Sequence, residues 1–215
     1  AVYLMDEWAK TIDKYYKPNH YVYDKDVQGL VDMYEYIGIE RALDYLDKIT
    51  DWAEKNLDQS KPYSSGHEWY TLSENLYRAY ELTGEKRYFD FAKVWEYTDY
   101  WAAFARGEDI FQVLKKADEK HQGYHAYSHV NTLSSAAMAY RVTGEHHYLE
   151  TIKNAYQFLQ NTQIFATGGY GPEEQFIVPD GLPETLLPIR NGELNTNLVF
   201  HFETACGSWA GFKLA

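Results

Sequence analysis

The chain has 215 residues, enough for one domain with a substantial core, and 17% of it is aromatic, mostly 21 tyrosines and six tryptophans. A formal charge of −12 excludes nucleic acid and an anionic membrane as natural partners, because phosphate is repelled, and leaves a neutral or cationic ligand. No apolar run reaches the length of a membrane span, "AVYLMDEWAK" lacks the basic start of a secretory leader, and one cysteine excludes an internal disulfide. These features read as a soluble chain, with the compartment, cytoplasmic or periplasmic, left open.

Residues 1–16 read as one helix, the tail of an earlier hairpin. The loop "YYKPNHYVYDK" follows, and then "MYEYIGIERALDYL" (33–46), two apolar-periodic segments meeting at Gly38. The loop "LDQSKPYSSGHE" precedes "AYELTGEKRYFDFA" (79–92), which turns at Gly84. The loop "KHQGYHAYSHVN" precedes "AYRVTGEHHYLETI" (139–152), which turns at Gly144. The last two segments superimpose at an offset of 60 residues, sharing the Thr-Gly-Glu turn and a tyrosine four after the glycine. Glycine at these points suits the left-handed residue that ends a helix. The second segments carry helical stripes: Leu43, Leu46, Ile49, Trp52 and Ala53 in one, Tyr148, Leu149, Ile152, Ala155, Tyr156 and Leu159 in another. Beyond these, 161–197 has glycines, prolines and carboxylates with no sustained period, a length that marks a functional or disordered loop. Helical character then resumes in "LVFHFETACGSWAGFKLA".

The fold class this predicts is all-α, built of consecutive antiparallel helical hairpins. Such repeats close into a ring or stack into a solenoid. Long loops rich in His, Tyr and Glu on one side favour a ring or half-ring whose loop side forms a pocket.

His67 precedes the second hairpin and His129 the third, so both should project to one end. Asp24 and Lys25 take the equivalent place before the first. A lone histidine before a helix is commonly a cap or a surface residue, and Asn131 suits a cap for a helix beginning near Leu133. His121, His125 and His129 stand at steps of four, a zinc spacing on a continuous helix, but Gly123 argues against that continuity. "TGGYG" lacks the Lys-Ser/Thr of a phosphate loop. Glu173, Glu174 and Glu203 are the candidate acids, since glycoside cleavage uses one carboxyl group to protonate the leaving oxygen and a second group as base or nucleophile. Tyrosine and tryptophan faces suit sugar rings. Glu203 and the lone Cys206, three residues apart, form a candidate pair of metal ligands.

At these residues the chain resembles the β-L-arabinofuranosidase family of six-hairpin glycosidases. "DKDVQGLVDMYEYIG" resembles the family's His-Lys-x-x-x-Gly-Leu segment, "GHEWYTLSENLYRAYELTG" its Gly-His block and "HVNT" its His-Ala-Asn-Thr. "ATGGYGPEEQF" resembles its Thr-Gly-Gly-x-Gly…Glu-x-Phe loop, and "FETACGS" its Glu-Thr-Cys segment. The resemblance implies an (α/α)6 toroid, of which residues 1–215 form about half, as a single partial catalytic domain whose remainder lies elsewhere in the same enzyme. It implies a carbohydrate substrate, a terminal sugar of a plant or algal glycan, with Glu174 as general acid/base, and His67, His129, Asp24 and Asn131 as substrate-binding residues. Glu203 matches a zinc-ligating glutamate, and family members use a zinc-bound cysteine thiolate as nucleophile with retention of configuration. Here Ala205 stands two after Glu203, where the family has its cysteine, and Cys206 follows one later; Asp24 replaces the first histidine. The rival readings are another toroid sugar enzyme, an unsaturated uronyl hydrolase or epimerase, and a non-catalytic helical-repeat binding protein.

Overall fold

A computed structural model describes residues 1–61, 68–117, 124–171, 175–181, 183 and 205–215. The described elements are helical: α1 (Val2–Ala9), α2 (Ile12–Tyr15), α3 (His20–Glu35), α4 (Arg41–Asn56), α5 (Ser73–Thr83), α6 (Lys86–Val94), α7 (Thr98–Ala105), α8 (Ile110–Ala117), α9 (Ala126–Thr143), α10 (His146–Thr162) and α11 (Ala205–Leu214), with a 3₁₀ turn at Trp69–Thr71. The only pairing of strand type among the described residues is an isolated antiparallel bridge between His125 and Gln175. The predicted all-α hairpin class is what forms. Residues 1–16 do not make one helix: the chain breaks between α1 and α2, and the Thr11 hydroxyl closes α1 by donating to the Trp8 carbonyl at 2.7 Å.

The three hairpins are α3–α4, α5–α6 and α9–α10, each a packed pair. Gly38, Gly84 and Gly144 sit at φ +74°, +72° and +70°, the left-handed geometry that a side chain disfavours. The repeated Thr-Gly-Glu has one explanation in both copies. Thr83 and Thr143 each donate a hydroxyl to the carbonyl four back, Ala79 and Ala139, at 2.7 Å. Each then accepts the amide of the glutamate two ahead at 3.1 Å. The tyrosines four after the glycine, Tyr88 and Tyr148, are buried. The stripes behave as amphipathic faces should: Leu46, Ile49 and Ala53 of α4, and Tyr148, Ala155 and Leu159 of α10, are buried. Tyr156 is the exception and faces solvent. Full burial of each such Leu or Ile contributes about 1.5–3 kcal/mol.

The chain forms two compact units, Ala1–Glu96 and Tyr97–Ala215. In the first, α3 packs on α4 and α5 around Tyr23, Val31, Leu46, Tyr77 and Trp95. In the second, α9 is covered on two sides, by α10 and α11, and is buried nearly all round, which is why its sequence shows no clean stripe. Helix α7 packs against α10, with the Thr151 hydroxyl donating to the Trp101 carbonyl at 2.9 Å.

Candidate active site

Three of the predicted site residues, His67, Glu174 and Glu203, lie outside the described residues. Asp24, His129, Asn131 and Cys206 are described, and three of them stand in different local settings from those expected.

Asp24 belongs to α3 itself, because the helix begins at His20, where Asn19 caps it by accepting the Val22 amide at 2.9 Å. Its carboxylate is buried, with 1% of the residue exposed. The Asn75 amide donates to Oδ1 at 2.9 Å, Lys25 Nζ to Oδ2 at 2.8 Å, and the Thr71 hydroxyl lies 3.2 Å from Oδ2. Asn75 in turn accepts from Arg78 at 3.2 Å, and Arg78 bonds Asp32 at 2.7 Å and Glu35 at 2.5 Å. Such a set of donors is what a buried carboxylate requires. Thr71 and Asn75 follow His67 closely in the chain, so Asp24 is tied to the segment that His67 opens. The residue next to His67, Glu68, holds φ +38° and ψ +37°, a left-handed conformation uncommon for a non-glycine residue.

His129 is not ahead of the third hairpin but inside α9, which starts at Ala126. It is 1% exposed. Four aromatic rings surround it, with centroid distances of 4.8 Å to Tyr124, 5.3 Å to Tyr100, 5.9 Å to Tyr97 and 6.5 Å to Phe176. Its Nδ1 lies 2.8 Å from the His125 carbonyl. A carbonyl only accepts, so Nδ1 carries a hydrogen. Burial pushes the Tyr97 phenol well above its ordinary range, so it stays a neutral hydroxyl.

Asn131 is in the second turn of α9 and caps nothing, because α9 begins before residue 133. Two residues from His129, it lies about 200° around the helix and faces elsewhere. Its buried Oδ1 accepts from Lys213 Nζ of α11 at 2.9 Å, and that ammonium lies 4.8 Å over the Trp209 ring. Trp209 stacks on Tyr127 at 6.0 Å. His129 and Asn131 are therefore joined by sequence but separated by the helix.

The histidine triplet dissolves. His121 is outside the described residues, and His125 caps α9 in an extended conformation, with its ring 3.1 Å from the Ser128 hydroxyl. Among the described residues no group of three His, Cys, Asp or Glu could hold a metal. Cys206 is exposed in the first turn of α11. Of the zinc set implied by resemblance, a glutamate and three cysteines, these 215 residues supply Glu203 and one cysteine, Cys206.

The "TGGYG" loop works by close approach rather than by binding phosphate. A Cβ on Gly171 would lie 2.7 Å from the Gln175 carbonyl, and one on Gly207 of α11 would lie 2.5 Å from the Tyr170 ring. Beyond it the chain is pinned to the start of α9: Gln175 bridges His125, and the Phe176 amide donates to the Tyr124 carbonyl at 2.8 Å. Of the rings around His129, Phe176 closes the Glu-x-Phe motif, whereas the tyrosines were not singled out from sequence. Tyr100 comes from α7 and Tyr97 from the position just before it, and of the tyrosines only Tyr124, in "YHAYSH", adjoins His129 in sequence. Buried Glu74, one residue before Asn75, carried no signal either.

The second unit thus holds a buried histidine amid aromatic rings on a helical-hairpin scaffold. The family model for the β-L-arabinofuranosidase catalytic domain of glycoside hydrolase family 127 matches residues 2–193. The chain belongs to that family. No curated protein matches it. Among the described residues no helix is long and apolar enough to cross a membrane.

Proposed function

We propose that the enzyme to which this partial catalytic domain belongs removes a terminal sugar, a β-L-arabinofuranoside or a close relative, from a plant or algal glycan, and that residues 1–215 alone are inactive. Glu174 protonates the leaving oxygen, and Glu203 serves as a second carboxylate. His129 accepts a sugar hydroxyl at Nε2, and His67 makes a second contact. Asp24 acts by holding Lys25, Thr71 and Asn75 in place, and Asn131 by seating Lys213. One observation carries the reading. The residue after Glu174, Gln175, is bridged to His125, and Phe176 is bonded to Tyr124 and packed on His129. The two ends of this proposed pair are thus one peptide and one helical turn from a shared anchor.

Whatever the nucleophile, departure of the sugar's leaving oxygen is helped by a proton, and general acid–base catalysis typically contributes ~10²–10⁴-fold. The test is Glu174→Gln in the whole enzyme, which keeps the shape and removes the transferable proton. On an alkyl β-L-arabinofuranoside, whose poor leaving group needs protonation, turnover should fall by about that factor. On an aryl glycoside with an acidic phenol the loss should be much smaller. Wild-type turnover on the alkyl glycoside sinks the assignment.

A further inference from the structure

We infer that Tyr124 is a positioning residue that holds the acid/base loop and His129 in register; this rests on the glycosidase reading above. Three observations meet at this residue. Its hydroxyl donates to the Ile110 carbonyl at 2.7 Å, fixing the far end of a side chain that is 1% exposed. Its own carbonyl accepts the Phe176 amide at 2.8 Å. Its ring meets the His129 ring edge-on at 4.8 Å. The next residue, His125, supplies the carbonyl that accepts both the His129 amide at 3.0 Å and His129 Nδ1 at 2.8 Å. Two consecutive peptide units, at 124 and 125, therefore serve both partners: they place the proton on His129 Nδ1 and anchor the segment that follows Glu174.

These units precede α9, so the helix's own hydrogen bonds do not fix them on their N-terminal side. The bond from Tyr124 to Ile110 does that from across the unit, and Phe176, packed on Tyr170 at 6.0 Å and Phe158 at 6.3 Å, holds the loop side. A shift of the 124–125 backbone would lengthen the His129 Nδ1 bond and move the loop together. Positioning groups act in this way, since a displacement of about 1 Å at a reacting centre can cost about 10²-fold.

The experiment is Tyr124→Phe, which keeps the ring and deletes the hydroxyl. The variant should lose about 10-fold or more in kcat on an alkyl β-L-arabinofuranoside with KM changed less than threefold. In ¹⁵N spectra of the unliganded protein, His129 should move from the Nδ1–H tautomer toward a mixture. A merely structural role would lower the melting temperature and leave both the tautomer and kcat of the folded enzyme unchanged, and that result overturns the proposal. The spectroscopic arm does not depend on catalysis. If Glu174→Gln keeps wild-type turnover while Tyr124→Phe still shifts the tautomer, the assignment of Glu174 has failed and the positioning of His129 stands.

Discussion

The His129 ring is fixed by a backbone atom one turn earlier, with Nδ1 2.8 Å from the carbonyl of His125. This bond places a proton on Nδ1. In ¹⁵N-labelled protein near neutral pH, His129 should show a protonated Nδ1 and an unprotonated Nε2. His129→Ala removes one sugar contact and should lower kcat/KM by about 10-fold, the equivalent of ~1.4 kcal/mol. An Nε2–H tautomer refutes the assigned role.

Asp24 is the hub of the first unit's polar network. In Asp24→Asn one carboxylate oxygen becomes an amide donor while Lys25 and Asn75 both donate toward the group, so a buried hydrogen bond is replaced by a mismatch. Stability should fall by about 1–3 kcal/mol, read as a lower urea midpoint at unchanged slope. An unchanged midpoint means that the network is not stabilising.

Asp26 gives a pH signature. Burial raises its carboxyl pKa above the ordinary 3.8, opposed by the hydrogen bond from the Tyr16 hydroxyl at 2.9 Å. A raised folded pKa means that the native state prefers the protonated acid. The stability this group contributes is complete below pH 3.8 and is lost as pH rises through the higher folded value. Asp26→Asn should remove this component, so its stability should gain on wild type across that window and keep the gain at neutral pH. A constant difference from acid to neutral pH contradicts the shift.

Gly171 lies in the loop that leads to Glu174. Its missing side chain is needed, because a Cβ there meets Gln175 and Ile177 at 2.7 Å. Gly171→Ala must push Gln175 off its bridge to His125, and misplacement of about 1 Å costs about 10²-fold in rate. We expect kcat to drop by that order while circular dichroism keeps its helical form. Full activity would show that the bridge does not position the acid.

Cys206 is exposed and should react with a disulfide reagent in the folded protein, without denaturant. Glu203 and Cys206 supply at most two of the four ligands zinc prefers, so micromolar zinc should not protect the thiol. Stoichiometric protection would show that these two residues take part in a zinc site.

Much of this was legible in the chain alone. The hairpins and their turns follow from a period of 3.6 and from glycine's freedom at positive φ, both properties of a few neighbouring residues. The Thr-Gly-Glu turn closes on itself through Thr83 and Thr143, so its repetition in sequence is repetition in space. The family, too, is carried by short ordered motifs. Helix beginnings were less legible: α3 and α9 start ahead of Asp24 and His129 because Asn19 and the His125 backbone, rather than residues nearer the apolar stripe, end the loops.

What only the tertiary structure decided is which side chains meet. His129 and Asn131 look like one motif, yet a two-residue step turns them about 200° apart on α9. One goes to an aromatic box and the other to Lys213, 82 residues away. Tyr97 and Tyr100 reach His129 from a distant segment, and no local pattern marks them, since a buried ring is chosen by the shape of the space it fills. Local conformation is settled by bonds along the chain; the company a buried group keeps is settled by packing, which no single segment contains.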